Sequence, residues 1–311
     1  MFDSRVCAVV LTYQPNVSSL AALLQRIVPQ VDAVVLVDNG SNAAIRSATA
    51  AALKAFPSVR TLMLEDNAGV GTGHNRGISQ AMKEGFAFVV ILDQDSTPAP
   101  DMIAQLRRGY EAASRAGTRV AAVGPLFVQK QTGREAPFIQ LGLLRFKKLS
   151  CKSAASGLVR ADFLISSGSL IPREAFREVG LMREDLFIDQ VDTEWFLRAR
   201  QQGWHMYGVC AARMDHELGD KTLRVWFGRW KEIPLHSPLR HYYSFRNSIY
   251  LYLRTRYPLR WKLADGYRLA GMLVIFTLLL PDRFAHLRMM LRGAWHGLIG
   301  RLGRHDLIGR G

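Results

Sequence analysis

The first 125 residues alternate short apolar runs with segments of helical periodicity, and this alternation constrains the fold more than any other feature. The apolar runs, such as AVVLVDNGS, are typical of buried strands. The segments between them repeat leucine and isoleucine at three- and four-residue intervals, which predicts amphipathic helices. The predicted strands are 5–13, 33–41, 59–67 and 86–96, and the predicted helices are 17–28, 43–55 and about 75–84. This order favours a mostly parallel, Rossmann-like sheet with helices on both faces.

Each predicted strand ends at a side chain that carries an oxygen. These side chains are Thr12, Asp38, Asn67 and the pair Asp93 and Asp95. In open α/β sheets, ligands bind outside the carboxyl ends of the strands. The sequence therefore predicts a ligand cleft at this edge of the sheet.

The pair Asp93 and Asp95 places two carboxylates one residue apart in FVVILDQDS. Because like charges repel, we expect something positive beside this pair. Three interpretations are open: a divalent cation, a lysine or arginine partner, or an acidic turn that is simply solvated. Hard carboxylate oxygens suit Mg²⁺ or Mn²⁺, and such a cation would neutralise a leaving diphosphate. The position at a strand end favours the metal.

The segment DNAGVGTGHNRG (66–77) invites comparison with a dinucleotide-binding loop. That fingerprint requires GxGxxG in the first βα turn. Here the segment follows the third predicted strand, and Arg76 stands where the third glycine belongs, which disfavours a dinucleotide fold. A glycine turn that opens a helix near a phosphate and a flexible turn both remain open.

The chain has 311 residues, of which 49% are hydrophobic, so one large domain or two moderate ones can form a core. Cys7, Cys151 and Cys210 are far apart and form no CxxC pair, which predicts reduced thiols in a cytoplasmic protein. An acidic residue at position 3 and the short apolar run after it predict no cleaved secretory signal.

Positive charge is concentrated in the last third of the chain. The formal net charge is +15, and residues 221–311 contain 17 Lys/Arg against 4 Asp/Glu. Aromatic and arginine residues alternate from Arg240, and Leu269–Leu280 is an uncharged run too short to cross a bilayer. An anionic membrane surface and a homodimer interface are both open for this region. The absence of zinc-ligand spacing and of an RNP-type motif disfavours nucleic acid.

Three carboxylates, Asp189, Asp192 and Glu194, fall within six residues. A helix that starts near Asp189 would place Asp189 and Asp192 on one face and direct Glu194 toward Arg198. An acidic helix start in solvent is one interpretation. The other is a general base that accepts a proton from a reacting group.

The ordered series VVLTY, VDNGS, Asn67–Gly77 and LDQDS resembles the nucleotide-sugar half of the inverting GT-A glycosyltransferases of family 2. The stretch Phe163–Trp204 resembles the acceptor half of the bacterial rhamnosyltransferase branch, in which F-I-D-x-V-D-x-E-W is typical. The resemblance covers nearly the whole chain. It implies a GT-A domain at 1–220, divided into a nucleotide-sugar half (1–125) and an acceptor half (126–220), and a basic, mainly helical C-terminal region at 221–311.

The resemblance also implies roles for individual residues. Asp192 would be the base, with Val191 in place of the family's usual first acid, and Asp189 would orient the acceptor or the sugar. The metal ligands would be Asp93, Asp95 and His216. Gly168, Glu194 and Trp195 would lie on the acceptor side. The donor-binding residues would be Thr12, Tyr13, Asp38, Asn67, Gly73, His74 (where many relatives have arginine), Asn75, Asp93, Gln94 and Asp95.

The implied reaction moves L-rhamnose from dTDP-L-rhamnose to a saccharide acceptor, expected to be lipid-linked, in surface polysaccharide synthesis. The enzyme would lie at the inner face of the cell membrane. Another dTDP- or UDP-sugar on the same fold is the nearest alternative. A nucleotide-binding module without catalysis is the alternative from a different functional class.

Overall fold

The computed structural model describes residues 4–129, 133–216, 222–226, 230–278 and 282–305. For Ser153, His216, 222–226 and 230–234 it describes the backbone alone. All structural statements below refer to these residues.

The elements alternate as predicted in the first half of the chain. They are β1 (Val6–Thr12), α1 (Val17–Ile27), β2 (Ala33–Asp38), α2 (Ala43–Leu53), β3 (Val59–Met63), α3 (Val70–Lys83), β4 (Phe88–Asp93), β5 (Thr97–Pro98), α4 (Met102–Arg115) and β6 (Val120–Gln129). The second half contains β7 (Phe138–Leu141), β8 (Phe146–Leu149), β9 (Leu158–Ala161), β10 (Leu170–Pro172), α5 (Arg173–Val179), α6 (Val191–Gln201), β11 (His205–His216), β12 (Thr222–Trp226), β13 (Trp230–Pro234), α7 (Pro238–Arg254), α8 (Leu259–Leu278) and α9 (Arg283–Ile299).

The central sheet has the order β3-β2-β1-β4-β10-β6-β11-β5, and β9 pairs with β11. The first four strands run parallel, and β10 is antiparallel to both of its neighbours. Short ribbons are formed by β7–β8 and by β12–β13. The predicted mostly parallel sheet is confirmed, and its parallel part carries the strand ends that the sequence singled out.

Both faces of the sheet are buried, as the continuous apolar runs predict. Along β1, Val9 contributes to the core that contains Ile78 of α3, whereas Val10 contributes to the core that contains Leu24 and Leu106. Successive side chains of a strand point to opposite faces, so one run supplies two cores. This rigid frame fixes the position of the sheet edge where β1, β2 and β4 end.

The glycine-rich segment is part of a helix, and the prediction that the helix begins near Asn75 is wrong. Helix α3 begins at Val70, so Gly73 and Gly77 lie inside it. A Cβ at Gly73 would stand 2.3 Å from Leu11 Cδ1, and a Cβ at Gly77 would stand 2.3 Å from a methyl carbon of Val9. The glycines therefore allow α3 to approach β1 closely.

The C-terminal helices pack on the sheet domain through buried polar groups. Arg246 of α7 is 1% exposed, and its guanidinium donates to the carbonyl of Leu186 at 2.7 Å and lies over the ring of Tyr243. A Cβ at Gly293 of α9 would stand 2.3 Å from the Tyr242 carbonyl oxygen, so α9 lies directly against α7. These contacts join the region after 221 to the segment that precedes α6. The domain boundary at 220 stays a prediction.

Two of the three cysteines form a disulfide, so the prediction of three reduced thiols is wrong. Cys151, in the turn after β8, is bonded to Cys210 of β11, with a Cα–Cα distance of 5.6 Å. Their separation of 59 positions in the sequence gives no spacing signal. Cys7 remains a free thiol, and burial in the sheet raises its pKa to about 12.

Candidate active site

A cavity of about 340 Å³, which we call the strand-edge cavity, opens where β1 and β4 end in parallel. Five of the residues implicated by the sequence line it. They are Tyr13, Asn67, Asp93, Gln94 and Asp95. The predicted meeting of strand ends is thus present as a real concavity with polar walls.

Hydrogen bonds between the loops hold this cavity open. The Asn39 amide donates to Asn67 Oδ1 at 3.2 Å and accepts from the backbone N–H of Ala68 at 3.0 Å. On the opposite wall, Gln94 Oε1 accepts from the backbone N–H of Tyr13 at 2.8 Å. Tyr13 is 42% exposed and lines this cavity, so its aromatic side chain is available to a ligand.

Asp38 and Thr12 lie buried behind the cavity lining. Asp38 Oδ1 accepts from the backbone N–H of Ser41 at 2.8 Å, whereas Oδ2 is buried and has no hydrogen-bond partner among the described residues. The Thr12 hydroxyl donates to the Val37 carbonyl at 3.2 Å. Asp38 thus fixes the turn that carries Asn39 and keeps one acceptor oxygen unpaired.

Acidic side chains surround Asp93. Desolvation, followed by the charges of Asp95 and Asp192, raises the pKa of Asp93 to about 7, against a smaller opposing effect of Arg240. Asp95 is exposed. The Ser167 hydroxyl accepts from the Asp93 backbone N–H at 3.1 Å and so positions the end of β4. A cation beside these carboxylates would relieve their mutual repulsion.

The residues present fit part of a divalent metal site. Asp93 and Asp95 offer hard oxygen ligands on the wall of one cavity. Among the described residues, no group of three or more His, Cys, Asp and Glu side chains is arranged to hold a metal ion. Mg²⁺ and Mn²⁺ commonly complete their shells with substrate phosphates and water, so two protein carboxylates are compatible with either ion. The predicted third ligand, His216, has its side chain outside the described part.

A second cavity of about 280 Å³, which we call the central cavity, shares Asp93 and Arg240 with the first. Its lining adds His74, Asp189 and Asp192. His74 is fully buried, and neither ring nitrogen has a hydrogen-bond partner within the described chain. Burial lowers the pKa of His74 to about 4, so its imidazole is neutral at pH 7.

Asp189 and Asp192, two of the carboxylates that line the central cavity, have different surroundings. Asp189 accepts from the Arg240 guanidinium at 3.2 Å and from the Ser244 hydroxyl at 3.1 Å. Asp192 accepts from the backbone N–H of Thr193 at 2.7 Å, and burial is the largest cause of its raised pKa. A raised pKa makes a carboxylate a better proton acceptor. Asp189 is therefore held by two side-chain partners, whereas Asp192 is distinguished by its raised pKa.

Asp189 does not start the helix, contrary to the sequence prediction. Helix α6 begins at Val191, and the preceding segment contains three non-glycine residues with positive φ: Phe187 (66°), Asp189 (62°) and Gln190 (61°). Such conformations cost free energy and persist only where the surroundings hold them. The segment therefore directs Asp189 and Asp192 into one cavity without helical spacing.

Asn247 of α7 supplies that support. It is completely buried, and its amide nitrogen lies within hydrogen-bond distance of three backbone carbonyls of this segment. These belong to Leu186, Ile188 and Asp189, at 3.0, 2.8 and 2.8 Å. A single side chain from the C-terminal region thus fixes the backbone that carries the site's carboxylates.

Replacing Asn247 with alanine should remove these bonds and leave buried carbonyls unpaired. We expect a loss of about 2–3 kcal/mol in the free energy of unfolding. We also expect kcat/KM to fall about 10- to 100-fold, because small displacements of reacting groups are costly. Denaturant unfolding and steady-state kinetics measure the two effects.

The matched control is Asn42→Ala, which removes the N-cap of α2 at a position far from Asn247 in the sequence. It should cost about 1 kcal/mol in stability. An equal loss of kcat/KM in this control would contradict the positioning role.

A third cavity of about 340 Å³, which we call the aromatic cavity, adjoins the central one at Asp189, Gln190 and Asp192. Phe146 and Phe163 form one wall in an edge-to-face pair with ring centroids 5.5 Å apart.

The other wall of the aromatic cavity comes from α8 and is polar. Asp265 accepts from Arg268 at 2.7 Å and from Gln190 at 3.2 Å. Within the described chain, the buried indole N–H of Trp261 has no hydrogen-bond partner. Aromatic faces beside a few placed polar groups are typical of sites for small polar molecules.

Several residues implied by the resemblance lie outside the three cavities. Gly73 packs on Leu11, and the Asn75 amide bonds both backbone groups of Met182 at 2.8 and 2.9 Å. Gly168 has φ +75° and lies in the serine turn beside β4. Their contacts are structural, because each joins α3 or a loop to the frame.

Glu194 and Trp195 of α6 also face away from the cavities. Glu194 accepts from Arg198 at 3.1 Å, which confirms the predicted pair, and from the Tyr257 hydroxyl at 2.6 Å. Trp195 is fully buried and donates its indole N–H to the Gly180 carbonyl at 2.7 Å. Neither side chain lines any of the three cavities, and their place on the acceptor side stays a prediction.

Other residues of the cleft carried no local sequence signal. Arg240 and Arg268 belong to the basic C-terminal region, and Gln190 lies between Asp189 and Asp192 in the sequence. Asn247, from the same region, does not line a cavity but bonds the segment that carries Asp189. The lining residues are far in sequence from the strand ends, so the sequence alone did not predict that they line the same cleft. Only the alternation of arginines and aromatics in that region marked it as unusual.

Comparisons with known proteins agree with this geometry. The model of "Glycosyl transferase family 2" matches residues 7–180. The dTDP-rhamnosyl transferase RfbF of Shigella flexneri is 30% identical over 257 residues, which cover 83% of each chain. The N-acetylglucosaminyl-diphospho-decaprenol L-rhamnosyltransferase of Mycobacterium tuberculosis is 26% identical over 316 residues, with 92% of this chain and 97% of the relative covered.

A solved structure shares the fold. The mannosyltransferase PcManGT from Pyrobaculum calidifontis, in complex with GDP-Man and Mn²⁺, aligns with a TM-score of 0.55 at 14% identity. The alignment covers 97% of this chain and 89% of that one. At this identity the similarity concerns the fold alone.

Proposed function

The chain belongs to glycosyl transferase family 2, and from this premise we propose that it transfers an L-rhamnosyl group from dTDP-L-rhamnose to a saccharide acceptor. The observation that carries the proposal is the series of three adjoining cavities, with Asp192 lining the central and aromatic ones. The two rhamnosyltransferase relatives support the choice of sugar. Another dTDP- or UDP-sugar is the alternative donor.

The nucleotide of the donor occupies the strand-edge cavity in this proposal. The aromatic side chain of Tyr13 can stack on the base, and the asparagine network offers amide groups to base and ribose. The diphosphate then lies toward Asp95, with Arg240 as a second source of positive charge. The sugar reaches the central cavity, where neutral His74 can exchange hydrogen bonds with its hydroxyls.

Asp93 and Asp95 would hold a divalent cation, Mg²⁺ or Mn²⁺. When bound, such a cation neutralises charge on the diphosphate and so improves the nucleotide as a leaving group. Desolvation is the largest cause of the raised pKa of Asp93, and the charges of Asp95 and Asp192 follow it. A cation at this position would relieve that repulsion.

Asp192 acts as the base in this proposal. Its carboxylate accepts the proton of an acceptor hydroxyl, and the hydroxyl oxygen forms a bond to the anomeric carbon of the donor sugar. The bond from that carbon to the diphosphate oxygen breaks, and the nucleoside diphosphate leaves with the electron pair. A single displacement of this kind inverts the anomeric configuration. Asp189, held by Arg240 and Ser244, orients the reacting sugars.

The saccharide acceptor lies in the aromatic cavity. Sugar rings present apolar C–H faces and polar edges, and this cavity pairs Phe146 and Phe163 with Asp265 and Arg268. Both the aromatic and the central cavity are lined by Asp192, which supports an acceptor hydroxyl beside the base. We propose that the acceptor is lipid-linked.

A panel of sugar nucleotides tests the donor. We expect dTDP-L-rhamnose with Mn²⁺ to raise the melting temperature more than the UDP- or GDP-sugars do. At a concentration of about 100 times its Kd, the bound donor should stabilise the folded protein by about 2.7 kcal/mol. The same donor should release dTDP faster when a saccharide acceptor such as an octyl glycoside is present. A larger shift with a UDP-sugar would establish the alternative donor. Absence of any shift would refute the proposed binding site.

A further inference from the structure

The outward surfaces of α8 and α9 are apolar where surface helices are normally polar. Counted along both helices, fifteen residues are exposed, of which twelve are aliphatic or aromatic and three are arginine. None of the fifteen is aspartate or glutamate. We call these fifteen exposed residues, within 259–278 and 283–299, the apolar-arginine face.

On α8 the exposed apolar residues recur at intervals of three or four, so they form one stripe along the helix. They are Leu259, Leu263, Tyr267, Ala270, Val274 and Leu278. The opposite side of α8 is buried against α7, since Trp261 contacts Tyr252 with ring centroids 5.5 Å apart. The stripe is therefore not part of the protein core.

Helix α9 repeats this arrangement with larger side chains. Phe284, Leu291 and Trp295 are 74%, 60% and 60% exposed, and Leu298 and Ile299 continue the stripe. The opposite side packs on α7 through Gly293. Exposed aromatic and leucine side chains at this density mark an interaction surface.

The hairpin between β7 and β8 extends the same surface. Its tip carries Leu143 and Leu144, which are 69% and 58% exposed. The next residue, Arg145, places its guanidinium 4.3 Å from the ring centroid of Tyr267 on α8. A third apolar element thus lies beside the stripe of α8.

We propose that the apolar-arginine face docks on the surface of an anionic lipid bilayer, with α8 and α9 lying in the interface. None of the described helices has the length and apolar character needed to cross a bilayer. Aromatic and leucine side chains that enter the acyl boundary beside arginines at the headgroups are the pattern of interfacial helices. Exposed Arg260, Arg283 and Arg288 supply the positive charge that anionic lipids attract.

A second copy of the chain fits this face less well. A two-fold interface brings the same patch of both copies together. The face would then oppose arginine with arginine, and exposed Asp282, which precedes α9, offers a single carboxylate against three arginines. Lipid phosphates provide the missing negative charge.

The face lies on the same helix as a wall of the aromatic cavity. Asp265 and Arg268 of α8 line that cavity, while Leu263 and Tyr267 belong to the exposed stripe. Docking would therefore hold the aromatic cavity next to the bilayer surface. This consequence rests on the proposed function, whereas docking itself does not.

Vesicle flotation of the full-length protein tests the proposal. We expect binding to vesicles of phosphatidylcholine mixed with phosphatidylglycerol at low salt, weaker binding at high salt, and weaker binding to phosphatidylcholine alone. The double variant Leu291→Asp, Trp295→Asp should lower the partition coefficient about tenfold or more, because both side chains leave water on docking. Met63→Asp, at a residue that is 49% exposed on β3, is the matched control and should bind as the wild type does.

Each other outcome would overturn the proposal. Failure of the wild-type protein to float would do so, as would equal flotation of the double variant. If light scattering shows a wild-type dimer that the double variant converts to a monomer, without flotation of either, the face is a self-interface. Flotation needs no turnover, and denaturant unfolding of the variant verifies its fold without any nucleotide. Failure of docking is thus distinguishable from failure of the proposed transferase activity.

Discussion

Asp192→Asn should lower the rate of glycosyl transfer about 10²- to 10⁴-fold, which is the contribution typical of a general base. Asparagine keeps the size of the side chain but cannot accept the proton of the acceptor hydroxyl. Asp192 lines both the central and the aromatic cavity, so the loss should appear in kcat with a donor Kd close to that of the wild type.

Steady-state kinetics and calorimetric titration with the donor separate these effects. Asp101→Asn, at an exposed residue before α4, is a matched control and should leave both quantities unchanged. Asp189→Asn provides the internal comparison, because that carboxylate is already engaged by Arg240 and Ser244. If Asp189→Asn abolishes turnover and Asp192→Asn does not, the two roles are exchanged.

Asp95→Ala should weaken donor binding about 10²-fold in the presence of Mn²⁺, because a metal ligand beside the diphosphate is lost. Without divalent cation, the variant and the wild type should bind the donor about equally. Removal of Asp95 also removes the second-largest cause of the raised pKa of Asp93, so that pKa should fall.

Calorimetric titration of dTDP, with Mn²⁺ and with chelator, measures this coupling. Glu111→Ala, an exposed carboxylate on α4, is the matched control and should retain the Mn²⁺ dependence of the wild type. Retention of the full Mn²⁺ dependence in Asp95→Ala would show that the cation is held elsewhere.

The parallel sheet could be predicted because a single pattern in the sequence, the alternation of apolar runs and amphipathic segments, indicates it. Four apolar runs of β-branched residues separated by amphipathic segments have few other compact arrangements, and Val9 and Val10 enter opposite cores as the alternation requires. The same logic placed Asp93 and Asp95 at the edge where ligands bind. Strand ends are predictable because a strand's direction and register fix them.

The start of α3 could not be predicted in the same way. Glycine ordinarily disfavours helix, and four glycines between Gly69 and Gly77 indicated a turn. Tertiary packing explains the glycines at positions 73 and 77, because a side chain at either position would collide with β1. Close packing between two elements overrode the local preference.

The backbone conformation around Asp189 also could not be predicted from the sequence. Three residues with positive φ are maintained by Asn247, which lies nearly sixty positions later in the chain. The disulfide between Cys151 and Cys210 and the Arg240–Asp189 pair also join distant segments. Contacts of this kind depend on the assembled tertiary structure, so no local pattern reports them.

The central claim is that a nucleotide sugar lies with its diphosphate beside Asp95 and its sugar next to Asp192. A crystal structure of the protein with dTDP-L-rhamnose and Mn²⁺ tests this most directly. We predict the thymine at Tyr13, the diphosphate and one metal ion at Asp93 and Asp95, and the anomeric carbon facing Asp192. Density for the nucleotide in the aromatic cavity, between Phe163 and Trp261, would contradict the account.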